Sequence, residues 1–139
     1  MTEFVSEDKT ILYRDADVYR VLSDLRNLGS VSDQLPENRL SDFSFDENRV
    51  SFRLDPIGEV TFFVEEREPN KMVKFKSEKL PFDVFLWIQL VAKAEKDTRL
   101  RLIVHADLNP ILSGIAQKPM REMMDKISDA LSQLPYDRL

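Results

Sequence analysis

The sequence predicts an α+β domain in which a seven-stranded antiparallel sheet is covered on one face by a long C-terminal helix. Two observations carry this. After a first strand, short segments of alternating polarity follow from Leu40 onward, separated by turn residues too closely spaced to hold a crossover helix, so neighbouring strands run antiparallel. From Asn109 the apolar residues change to helical spacing and keep it for about six turns. A sheet with one apolar face must cover that face, and this helix carries the longest apolar stripe in the chain.

The first element, Glu3 to Leu12, mixes polar and apolar residues with β-branched Val5, Thr10 and Ile11 and suits a strand. Val18, Val21, Leu22 and Leu25 then fall on one stripe of a helix, with Asp15 as its expected N-cap and Asp17 in its first turn. Gly29 and Ser30 break that helix. A second short helical piece is expected to reach about Leu35, where Pro36 ends it. Six strands follow, separated by "DEN" at 46–48, "DPIG" at 55–58, "EPNK" at 68–71, "KLP" at 79–81 and "EKDT" at 95–98.

Alternation assigns the faces. Val50, Phe52 and Leu54, then Val60, Phe62 and Val64, then Val73 and Phe75, then Leu100, Leu102 and Val104 form the buried set, opposite Arg53, Glu65, Lys74, Arg101 and similar residues. "FDVFLWIQLVA" departs from this pattern. Its second face, Phe85, Trp87 and Val91, is apolar too, which suggests a covered surface or a homodimer contact. In the last helix Asn109 suits the N-cap and Pro110 the first helical position, and the stripe runs through Leu112, Ile115, Ala116, Met120, Met123, Met124, Ile127 and on to Leu134. Pro119 falls inside it and removes the bond to the Ile115 carbonyl, so a kink is expected there, eased by Gly114.

Composition narrows the function. The 139 residues, 42% hydrophobic, make one domain spanning 1–139 that needs no staple to build a core. With no cysteine, disulfide frameworks and thiolate sites are excluded. The start lacks the pattern of a signal peptide and no apolar run approaches a membrane span, so a cytoplasmic location is expected. A net charge of −5 with interspersed lysines and arginines argues against a nucleic-acid partner.

Strand, two short helices, six-stranded meander and long C-terminal helix together are similar to the helix-grip fold of the START-like (SRPBCC, polyketide cyclase-like) superfamily. "VYRVLSDLRNL" at 18–28 resembles the first-helix signature of its small bacterial members, and "DADLNPILSGIAQKPMREMMDKISDALSQL" at 106–134 resembles their last strand and gripping helix. The resemblance implies a curved sheet wrapped around the helix with an apolar cavity between them. Members hold sterols, lipids, polyketides or plant hormones; some catalyse cyclisation or dehydration, and others regulate a protein partner. No short catalytic motif is shared, so no catalytic residue is carried over.

The chain's own chemistry points the same way. One histidine is too few for a transition-metal site, and no cofactor motif is present. "HAD" places His105 and Asp107 on one strand face, where a carboxylate could orient an imidazole as base, or where both are a polar pair beside Arg99 and Arg101. Glu65 and Glu66, adjacent in a strand, should point to opposite faces. The apolar interior remains: Phe52, Phe62, Phe75, Leu86, Ile88, Leu102 and Val104 facing Ile115, Met120, Met123 and Met124, whose thioethers adapt to irregular space. The expectation is non-catalytic binding of a hydrophobic small molecule there. Its alternatives are a cyclase or dehydratase using Tyr13, Tyr19, Ser77 and Gln89, and an interaction module with a filled core.

Overall fold

The computed structural model describes residues 1–29, 40–54 and 58–139. In chain order they form β1 (Thr2–Val5), β2 (Lys9–Ile11), α1 (Asp15–Leu22), a 3-10 helix (Leu25–Leu28), β3 (Leu40–Phe45), β4 (Arg49–Leu54), β5 (Gly58–Glu68), β6 (Met72–Glu78), β7 (Val84–Ala94), β8 (Asp97–Ala106) and α2 (Pro110–Ser132). All pairings are antiparallel, in the order β1-β8-β7-β6-β5-β4-β3, with β2 also on β8. A curved sheet gripping a long helix is the helix-grip fold. The second helical piece expected at 30–35 and the turn at 55–57 lie outside the described residues.

The strand expected from Glu3 to Leu12 is two strands, so the sheet has eight strands and not seven. Val5 faces Ile103 and Lys9 faces Leu100, which leaves one residue more on this side than on β8. Ser6 fills the interruption: its N–H donates to the Leu102 carbonyl at 2.9 Å and its Oγ accepts from the Leu102 N–H at 2.8 Å. An extra residue reverses the alternation. Even-numbered Phe4 and odd-numbered Ile11 therefore both point inward and are buried. β3 carries a second such shift between Ser41 and Ser44, where Asp42 adopts φ 55°.

The helices start on different signals. Asp15 is the first residue of α1 and not its N-cap; Arg14 holds the cap position without a side-chain bond, and Asp15 and Asp17 face the positive end of the helix from its first turn. In α2, by contrast, the Asn109 side chain accepts from the Leu112 N–H at 2.9 Å and Pro110 follows at once. The helix runs unbroken through Pro119 and ends at Ser132. Leu134 and Tyr136 beyond it fold back into the core, held by Arg20, which donates to the Tyr136 and Leu139 carbonyls. Among the described residues no helix is long and apolar enough to cross a membrane.

Candidate functional site

Helix α2 rests on β1, β2 and β8, at one side of the concave sheet face. Two polar ties fix it there. Thr2 Oγ1 donates to Ser113 Oγ at 3.1 Å, and Lys9 Nζ donates to Asp125 at 2.9 Å with Asp129 at 3.9 Å. The hydrogen bond to Asp125 raises the Lys9 pKa above its ordinary value. Towards the last turns of α2, α1, which packs on β7 and β8, the 3-10 helix and the C-terminal segment close the interior: Val18, Val21, Leu22, Leu25 and Tyr136 are inaccessible to solvent.

The other side is different. The inner faces of β3, β4 and β5 carry a continuous row of phenyl rings, Phe45, Phe43, Phe52 and Phe62. Adjacent centroids are 5.9, 5.5 and 6.2 Å apart and the rings are stacked. These rings, with Val50 and Val64, stay half-buried. On α2, Ala116 and Met120 in the first half and Met123 just past the midpoint are half-buried as well.

The residues predicted for a site therefore divide. Phe75, Ile88, Leu102, Val104 and Met124 are buried in the packed core. Phe52, Phe62, Leu86, Met120 and Met123 pack against it while keeping partial exposure. Ile115 does not face the sheet: it is 68% exposed, together with Ile111 and Leu112. It sits roughly 140° around the helix from Met120, at 100° per residue, so the two cannot share the sheet-facing stripe. Phe43 and Phe45, two residues apart in β3, belong to this wall too, although no face was assigned to β3 from the sequence.

The polar candidates do not converge. Ser77 is buried on the inner face, with its Oγ accepting from the Val84 N–H at 3.0 Å. Gln89 pairs with Met72 and Arg101 on the outer face. Tyr13 donates its hydroxyl to Asp137 at 3.2 Å and packs edge-on against Tyr136 at 5.8 Å. His105 is not oriented by Asp107: its Nε2 lies 2.6 Å from Glu3, and its ring meets Trp87 edge-on at 4.7 Å on the outer face. Glu65 and Glu66 are not on opposite faces. A bulge lies between Val64 and Glu66; Glu66 pairs with Lys74, and Glu65 lies 3.3 Å from the same lysine. Among the described residues no group of three His, Asp or Glu could hold a metal ion.

The second apolar face of β7 has its own cover. Lys74 Nζ lies 5.0 Å from the Phe85 ring centre and 5.3 Å from that of Trp87, and Lys76 lies 5.6 Å from Phe85. Val91 is left 53% exposed.

No family's sequence profile matches the chain, and no curated protein matches it in sequence. Solved structures do. XoxI from Bacillus cereus superposes with a TM-score of 0.71 at 13% identity, over 96% of this chain and 94% of that one. Norcoclaurine synthase from Thalictrum flavum, in complex with dopamine and hydroxybenzaldehyde, superposes with a TM-score of 0.69 at 15% identity, over 99% and 88%. A Thermobifida fusca protein gives 0.68 at 13% identity, over 100% and 95%. At such identities the likeness establishes a shared helix-grip fold.

Proposed function

We propose that this chain is a START-like domain that binds a hydrophobic small molecule, without catalysing a reaction on it, in a cavity between the inner faces of β3–β6 and the first half of α2. The observation that carries the reading is the half-buried row Phe45, Phe43, Phe52 and Phe62. Fully burying one such side chain is worth about 1.5–3 kcal/mol, so a concave wall of four incompletely buried rings leaves a large gain for a guest to collect. Met120 and Met123 would form the adaptable opposite wall. Norcoclaurine synthase, a neighbour in fold, holds two aromatic molecules, which suits a flat aromatic guest here. We place the protein in the cytoplasm, which the absence of cysteine fits.

The enzyme alternative has less support, because Ser77 lies on the inner face, Gln89 on the outer face and the Tyr13 hydroxyl on Asp137. So has a homodimer through Phe85, Trp87 and Val91, because Lys74 and Lys76 already cover two of the three. Native mass spectrometry of freshly purified protein, with thermal shifts over fatty acids, sterols and aromatics, tests the binding reading. The expected result is a co-purifying mass or a stabilising ligand whose effect is lost in Phe52→Ala. A ligand-free spectrum with a flat panel overturns it.

A further inference from the structure

Three polar side chains are buried among the described residues: Ser77, Thr98 and Ser128. Thr98 Oγ1 donates to the Tyr13 carbonyl at 2.8 Å, and Ser128 Oγ donates to the Asp125 carbonyl at 3.1 Å. Ser77 differs. Its hydroxyl accepts from the Val84 N–H at 3.0 Å, and no oxygen among the described residues takes its proton. A hydroxyl has one donor site, and a buried donor without an acceptor costs about 1–3 kcal/mol. Ser77 is only 8% exposed, so bulk water does little to offset this.

Its position gives that proton a use. Ser77 pairs with Phe62, the last ring of the phenyl row, across β5 and β6. The sheet continues from Val84 to Ala106 and Thr2, and Thr2 is tied to Ser113 in the first turns of α2. The free donor thus sits where the aromatic wall meets the end of the sheet from which α2 departs. Among the described residues no charged side chain is buried, so a carboxylate guest would meet no buried counter-charge from them. A neutral acceptor carries no such penalty.

We propose that Ser77 is the polar anchor of the site: its hydroxyl donates to the carbonyl oxygen of a neutral, flat, otherwise apolar ligand that stacks along Phe52 and Phe62. This rests on the hydrophobic-ligand reading above. Val84 holds the Ser77 oxygen as an acceptor, which leaves the proton directed to the guest, and the guest removes the cost of the unpaired donor.

Two probes separate the two ideas. 2-Acetylnaphthalene carries the carbonyl; 2-isopropenylnaphthalene replaces its oxygen by a methylene of nearly the same shape. Calorimetric titration of the full chain should show the ketone binding about tenfold more tightly than the alkene. Ser77→Ala should bind both equally, and a cooperative urea-unfolding transition of the variant reports that it is folded. The carbonyl stretch of the bound ketone should lie at lower wavenumber in the wild type than in Ser77→Ala. Equal binding of the two probes by the wild type, or a ketone preference that survives in Ser77→Ala, overturns the role of Ser77 and leaves the cavity standing. Failure of both probes to bind removes the cavity reading and this proposal with it.

Discussion

The interior of this protein has two regions built from the same sheet and the same helix, and they are finished differently. Around the last turns of α2, Ile11, Leu22, Leu25 and Leu100 are at most 1% exposed, because α1 and the C-terminal segment pack there as well. Along the inner faces of β3–β5 and the first half of α2, phenyl rings and thioethers are only half-buried, and Ile115 is turned outward. A marginally stable domain needs only part of its interior at full packing density. Concentrating that packing at one end leaves the other end free to be shaped by a guest.

The largest test of this division is a pair of truncations. Leu131→Ala, in the closed region, should cost about 2–5 kcal/mol in urea unfolding, whereas Met120→Ala, in the loose region, should cost about 1 kcal/mol or less. Equal losses would erase the distinction. A finer probe is Tyr136, which is inaccessible to solvent and donates to the Leu131 carbonyl at 2.7 Å. Tyr136→Phe leaves that carbonyl unpaired and should cost about 1–2 kcal/mol. Burial also pushes the phenol pKa up. Its contribution is therefore full below the unfolded phenol value of about 10 and is lost as pH rises above it, so the alkaline limb of stability should be shallower in Tyr136→Phe. The smallest effect should have the opposite sign. A Cβ added at Gly114 meets nothing within 4 Å, so Gly114→Ala should stabilise by roughly 0.5–1 kcal/mol in thermal unfolding. A loss there would mean that the first turns of α2 are packed after all.

The closed region was the more legible of the two in the sequence. Helical spacing marked Val18, Val21, Leu22 and Leu25, and Asn109 with Pro110 marked the start of α2, because caps and periodicity are local signals. Register shifts are not local. The extra residue around Ser6 reverses the alternation, so Phe4 and Ile11 both join the inner face against the simple pattern, and a second shift lies at Asp42 in β3. Helix phase was the remaining source of error: Ile115 is apolar and lies near the stripe in sequence, yet the ties of Thr2 to Ser113 and Lys9 to Asp125 rotate it away from the sheet. Ser77 was visible only as a polar residue on an apolar face; that its oxygen is engaged as an acceptor depends on Val84, seven residues away across a hairpin.

Pro119 lies close to the border between the two regions. Having no N–H, it cannot bond to the Ile115 carbonyl, and α2 crosses it with one link of its ladder missing. Beyond it, Met124, Ser128, Ala130 and Leu131 anchor the helix in the core; before it, no residue of α2 is fully buried. The two segments should therefore open separately. Amide protons of residues 113–118 should exchange with solvent through local fraying, while those of 124–131 should wait for an opening of the whole domain. For a molecule held between helix and sheet, residence time would then follow the opening of three loosely held turns, at a rate on which the global stability of the protein has little bearing.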